Sequence, residues 1–406
     1  MPSLLVRDLG QVVSPAGSRS PLRGSNALRD MSVLEDAYVL CVSGRIEAVG
    51  RMKELGRLDG EVIEVDGRGR AAVPGLVDCH THACFGGDRA AEFELRAGGA
   101  SYEELHAAGG GILSTVAATR AAGASGLAEA VGRHRRWMRA QGTTTWEAKS
   151  GYGLDRDTEL AQLRAVREAG GIPTWLGAHA VGPEFETADA YLDFALAEVL
   201  PEAAKLAEAA DVFLERGAFD AAQARRYLEA CRDAGLVLRL HADQFTEGGG
   251  VGLALELGAR SVDHLEATGP EGVQALGASN VAAVLLPVAA LTLGRPMPPA
   301  RGLIDAGAIV VLATDFNPGS AFCESMPLVM GLACTQLGMA PAEALAACTV
   351  NAAHVLGRAD RIGRIAAGYD ADLVLLDAPD WRYLAYHLGG DHVTVVVEDG
   401  EVVWER

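Results

Sequence analysis

"AVPGLVDCHTHACFGG", residues 72–87, runs an apolar strand pattern into a histidine, skips one residue, and presents a second histidine ahead of paired glycines. Successive side chains of a β-strand alternate faces, so His80 and His82 point the same way and Thr81 the other. Two imidazoles are thereby held side by side at a strand's carboxyl end. That placement suits a metal ion and an ordinary polar network equally well, because a metal site needs further donors. The choice turns on how the other strands of the chain end.

Short apolar runs at 73–79, 143–148, 172–178, 211–215, 236–240, 261–264, 281–286 and 308–313 alternate with stretches rich in Ala, Leu, Glu and Arg. "DTELAQLRAVREAG" (157–170) and "DAAQARRYLEACRDAG" (220–235) read as helices, the second opened by Asp220 and stopped by Gly235. Eight buried strands with crossover helices predict a parallel α/β fold, and the count favours a TIM-like (β/α)8 barrel over an open sheet. In such a barrel the reactive groups collect beyond the carboxyl ends of the strands. His80 and His82 follow the first run, His179 the third, His241 the fifth, His264 the sixth and Asp315 the eighth, so six polar groups fall on one rim.

The chain ends are patterned differently. "VLEDAYVLCVSGRIEAVG" (33–50) and "GEVIEVDGRGR" (60–70) are β-rich runs separated by Gly and Asp turns, and the style returns in "ADLVLLDAP" (371–379) and "DHVTVVVEDGEVVW" (391–404). These strands predict a small β-rich domain assembled from both termini, residues 1–70 and 361–406, with the barrel inserted as residues 71–360.

Composition narrows the partners. A 406-residue chain with 49% hydrophobic residues and a mean hydropathy of +0.14 can bury a large core. Its formal charge of -19 excludes a basic field for nucleic acid or an anionic membrane surface. The start of the chain lacks a basic segment followed by an apolar one, and the seven cysteines form no C-x-x-C pair, so a reducing cytoplasm is expected. Cys79 and Cys84, which flank the histidine pair, read as small buried hydrophobes.

Six segments together, "PGLVDCHTHACFGGDR" (74–89), "EAKSGYG" (147–153), "LGAHAVGPE" (176–184), "LRLHADQF" (238–245), "SVDHLE" (261–266) and "ATDFNPGS" (313–320), resemble the metal-dependent amidohydrolase superfamily over nearly the whole chain. Within it they look like the branch that hydrolyses the ring of 4-imidazolone-5-propanoate to N-formimidoyl-L-glutamate in histidine degradation. The resemblance implies that His80, His82, His241 and Asp315 hold one zinc or iron ion, zinc favoured, with no organic cofactor. It implies that His264 helps activate water, and that Arg89, Tyr152 and His179 touch a small-molecule substrate. Asn317, Gly319 and Ser320 fall in the segment associated with the open-chain product. A homodimer is a further implication.

Elementary chemistry supports those roles. Three neutral imidazoles and one carboxylate leave a dication acidic enough to polarise a carbonyl and lower the pKa of bound water. Asp315, once protonated, could hand its proton to the leaving ring nitrogen. The fourth strand ends in Glu215 with no lysine to bridge two metals, so a single ion is expected. Lys149 reads as a surface charge or salt bridge near the rim, or as a support for the substrate loop. Some members of the branch are acidic where this chain has Gln244, which can orient a substrate but cannot be a carboxylate base; neighbouring Asp243 faces the other way. Arg89 could clamp a carboxylate through parallel N–H donors, and Tyr152 could stack on a planar ring. Two alternatives remain: a metal-dependent deaminase of an aromatic heterocycle, and a non-catalytic barrel stabilised by metal.

Overall fold

A computed structural model describes residues 3–18, 20–58, 60–99 and 110–406. Five strands, β1 (Ser3–Pro15), β2 (Met31–Val42), β3 (Arg45–Arg51), β4 (Val62–Asp66) and β5 (Ala71–Pro74), come first. Eight follow as β6 (Leu76–Asp78), β7 (Thr143–Lys149), β8 (Ile172–Ala178), β9 (Ala209–Leu214), β10 (Val237–Ala242), β11 (Ser261–His264), β12 (Ala282–Leu285) and β13 (Ile309–Leu312). The last three are β14 (Leu373–Leu376), β15 (Val393–Glu398) and β16 (Glu401–Glu405).

Both termini build one sheet in the order β16-β15-β14-β5-β1-β2-β3, with β4 paired to β1. β5 joins the two halves, running parallel to β1 through Gln11 and Ala71 and antiparallel to β14 through Val374 and Val73. Val6, Val39, Leu373 and Val395 bury their side chains in a core belonging to this sheet.

The single strand expected over 73–79 is therefore two strands in two sheets. Pro74 ends β5 and Leu76 opens β6, and the chain changes sheet at Gly75. A Cβ there would come within 2.2 Å of Thr144 Oγ1, so only glycine allows the crossing to pack against β7.

β6 to β13 are hydrogen-bonded in chain order, every pair parallel. β12 and β13 are buried along their whole length, as strands covered on both faces must be. Beyond the strand ends the β13–β6 seam is drawn together by the segments that carry the histidine pair and Asp315. Thr81 bridges Phe316, the His82 N–H donates to Phe316 O at 2.9 Å, and the Asp315 N–H donates to His80 O at 3.0 Å. Beneath them Asp78 accepts from the Thr314 N–H at 3.2 Å and hydroxyl at 2.5 Å.

The outer helices start and stop where their side chains dictate. Asp220 accepts from the N–H groups of Ala222 and Gln223 to open Ala221–Asp233, and Gly235 ends the turn at φ +88°. No helix of the described residues is long and apolar enough to cross a membrane.

Candidate active site

His80 and His82 leave β6 on one face while Thr81 turns away, its hydroxyl donating to Glu147 O at 2.6 Å. His241 on β10, His264 at the end of β11 and Asp315 beyond β13 converge on the same point. Asp315 Oδ1 lies 3.5 Å from His80 Nε2 and 3.4 Å from His82 Nε2. His241 Nε2 lies 3.2 Å from His82 Nε2. The candidate ligand atoms of His80, His82 and Asp315 fall within 4.8 Å of one another, and so do those of His80, His241 and His264.

The hydrogen bonds behind these rings decide what the cluster can hold. His80 Nδ1 is 2.5 Å from Asp263 Oδ2, and His241 Nδ1 is 2.9 Å from Asp211 Oδ1. A carboxylate accepts, so both Nδ1 atoms carry the proton and both Nε2 lone pairs face inward. His80 Nε2 is buried with no hydrogen-bond partner, as is His82 Nδ1. Burial holds His82 and His241 below the usual imidazole pKa, keeping them neutral. The Nε2 lone pairs of His80 and His241 therefore face the Asp315 carboxylate, beside His82, whose Nδ1 has no partner to fix its tautomer; a cation among them would find all four groups within reach. The residues present fit a divalent metal.

Beneath the cluster lies a layer of buried charge. Lys149 is not at the surface: it is fully buried, 2.8 Å from Glu147 Oε1 and 3.0 Å from Asp211 Oδ2. Arg239 Nη2 is 3.0 Å from Asp263 Oδ2, and its Nη1 is 3.4 Å from Glu147 Oε1. Glu147 also accepts from the Thr81 N–H at 3.1 Å, between the two histidines. Two cations thus tie together the carboxylates that orient His80 and His241. Burial pushes Asp211 upward, but its pairing with His241 and the charge of Lys149 hold it well below the usual carboxylate range. With Asp315 counted, the carboxylates exceed the cations by two charges, which one dication neutralises.

Above the cluster opens a cavity of about 380 Å³ lined by Arg89, Tyr152, His179, Gln244, Asn317, Gly319 and Ser320 as well as His82, His241, His264 and Asp315. Every substrate residue expected from the sequence is on this wall. His179 Nδ1 donates to Gly151 O at 3.0 Å, and burial followed by the neighbouring His82 lowers its pKa to about 3, leaving Nε2 an acceptor. Tyr152 is presented by a loop whose N–H groups at Gly151, Gly153 and Leu154 all donate to the buried Glu159 carboxylate, at 2.8 to 3.1 Å. Asn317 folds its own loop, accepting from Gly319 and Ser320 N–H at 2.8 Å each and donating to Asp315 O at 2.6 Å. Gln244 is buried and lines the cavity, and Asp243 points away to accept from Thr268 Oγ1 at 2.8 Å. His264, at φ +85°, has Nδ1 3.5 Å from Glu266 Oε1.

Residues 71–403 match the sequence profile described as the amidohydrolase family. The chain is 62% identical to an imidazolonepropionase of Rubrobacter xylanophilus, covering 98% of both chains, and 48% identical to an imidazolonepropionase of Chloroflexus aggregans at the same coverage. The chain belongs to the amidohydrolase family, in its imidazolonepropionase branch. Among solved amidohydrolase-like folds, a triazine hydrolase variant superposes with a TM-score of 0.74 at 19% identity, covering 99% of this chain and 95% of that one. A zinc-bound adenosine deaminase from Xanthomonas campestris gives 0.72 at 21%, covering 99% and 93%. At those identities the likeness is one of fold.

The groups that orient the clustered histidines were not evident from the sequence: Asp211, Asp263, Glu147 and Arg239, with Glu159 behind Tyr152 and Glu266 behind His264. Their signal was a charged residue inside an apolar strand, as Arg239 is in "GLVLRLHAD" two positions before His241.

Proposed function

We propose that the protein hydrolyses 4-imidazolone-5-propanoate to N-formimidoyl-L-glutamate, with one divalent ion, zinc in preference to iron, held by His80, His82, His241 and Asp315. The observation that carries the reading is the convergence of His80, His82 and His241 on Asp315, with the Nε2 lone pairs of His80 and His241 turned inward, at the floor of a cavity with arginine in its wall. A three-imidazole, one-carboxylate set suits Zn²⁺. When bound, the ion polarises the ring carbonyl and lowers the pKa of water.

The remaining work falls to side chains. His264 takes the proton from the attacking water, and Glu266 behind its Nδ1 stabilises the imidazolium that forms. Asp315, a carboxylate at rest, relays the proton taken from the water to the ring nitrogen as the C–N bond breaks, so that His264 and Asp315 both end as they began. Tyr152 and the neutral His179 hold the heterocycle, Gln244 hydrogen-bonds it through an amide that cannot act as a base, and Arg89 faces the propanoate end. Asn317, Gly319 and Ser320 shape the wall against which the opened chain lies. The seven thiols, all unpaired, support a cytoplasmic setting, and the family likeness supports a homodimer.

The test is removal and return of metal. Chelated protein that keeps its circular dichroism should lose turnover and regain it with one equivalent of zinc, followed by loss of substrate absorbance. Full turnover by folded, metal-free protein contradicts the proposal.

A further inference from the structure

Arg89 is already occupied. Its Nε donates to Glu92 Oε2 at 2.8 Å and its Nη2 to Glu92 Oε1, so the parallel donors that would grip a carboxylate hold one from the same helix, Ala90–Ala97. Glu92 is fixed from a second side by the Gly111 N–H, 2.8 Å from Oε2. Only Arg89 Nη1 remains, lying where a Cβ on Gly319 would be 2.3 Å away. The pair is neutral overall, and a substrate carboxylate arriving beside it meets the Glu92 carboxylate.

Arg96 changes that balance. Arg89, Glu92 and Arg96 are spaced i, i+3, i+7, which puts them on one helix face. Arg96 lines the same cavity and is half-buried. Its neighbours among the described residues are weak ones, Gly319 O at 3.4 Å from Nη1 and the Phe93 ring centroid at 5.8 Å from Cζ. Among the described residues it has no carboxylate partner. Among the described residues lining this cavity, Arg89 and Arg96 are the only arginines or lysines. Among the described residues of this wall, the positive charge that the Arg89–Glu92 pair leaves over therefore resides on Arg96.

We infer that Arg96 is a specificity-determining residue, supplying the uncompensated charge that, with Arg89 Nη1, recognises the carboxylate of the substrate. An anion entering a chain of formal charge -19 needs such a local field, and Glu92 cancels the one Arg89 would provide. This rests on the proposed ring-opening reaction and names the residue on which its acid selectivity depends.

The experiment compares kcat/KM for 4-imidazolone-5-propanoate and its neutral propanamide analogue, with folded fraction and bound metal matched. Arg96→Gln should lower the acid-to-amide ratio about tenfold or more, chiefly through KM, as loss of one charge-assisted contact does. Arg96→Lys should retain most of the ratio. The double variant Glu92→Gln with Arg96→Gln restores the net charge of the wall and should recover much of the selectivity. An unchanged ratio in Arg96→Gln overturns the assignment, and no recovery in the double variant overturns the charge-balance reasoning. If the parent protein opens neither substrate, the proposed reaction falls and this inference with it; a parent that prefers the acid while Arg96→Gln keeps that preference defeats the inference alone.

Discussion

Replacing Asp211 by asparagine isolates the contribution of the buried charge layer to metal binding. In the parent, one oxygen accepts from His241 Nδ1 at 2.9 Å and the other faces Lys149 Nζ at 3.0 Å. An amide has a single acceptor atom and two N–H donors, so it cannot serve both. Turned toward Lys149, its oxygen leaves an NH₂ against His241 Nδ1, which favours the tautomer with the proton on Nε2 and removes the lone pair that faces the cluster. Turned the other way, it leaves Lys149 with an N–H donor where its counter-charge was. Either outcome loses one charge-assisted hydrogen bond, about 1.5–3 kcal/mol. Orienting partners of this kind are worth about 10–100-fold in metal affinity. Competition with a chromophoric chelator, on protein shown by circular dichroism to be folded, measures that factor directly. Affinity for zinc within twofold of the parent would refute the argument that Asp211 sets the His241 lone pair.

Three further perturbations have defined outcomes. His264→Ala should retain metal by elemental analysis and lose about 10²–10⁴-fold in kcat, the usual worth of general acid–base catalysis; an unchanged kcat in the metal-loaded variant removes His264 from the reaction. Arg89→Met leaves Glu92 unpaired in the cavity wall, so kcat/KM should fall further for the acid than for its amide; equal losses would assign Arg89 to loop organisation. Burial raises Asp372 from 3.8 to about 7, and a carboxyl whose folded pKa is raised destabilises the fold increasingly as pH climbs from about 4 through 7. Asp372→Asn should therefore raise Tm more at pH 8 than at pH 5, read by thermal melts in matched buffers, and an equal shift at both would show that its ionisation is not linked to folding.

How much of this was legible in the sequence follows from periodicity. Runs leading to His80, His241 and His264 announced the rim of the cluster because a buried apolar run stops at a polar side chain, and alternation alone put His80 beside His82. The division of 73–79 was hidden because an apolar run looks the same whichever sheet it joins; the Pro74-Gly75 pair in its middle was the mark of the crossing. For Lys149 the salt-bridge reading held and the surface one did not, because its burial depends on Glu147 and on Asp211, the second 62 positions away, meeting it in space. Glu92 and Arg96 stood at helical spacing from Arg89, yet nothing local distinguishes an internal ion pair from a free guanidinium. The Lys149–Asp211 pairing arises from tertiary proximity, which no periodicity encodes.

The central claim is hydrolytic opening of the ring by an enzyme that needs its metal. Mass analysis of the product formed from 4-imidazolone-5-propanoate in ¹⁸O-labelled water, alongside an ammonia assay, tests it most directly. Hydrolytic ring opening gives a product heavier than substrate by one labelled water, no ammonia released at that step, and no product from folded protein stripped of metal. Stoichiometric ammonia with the ring intact would contradict it and make the protein a deaminase.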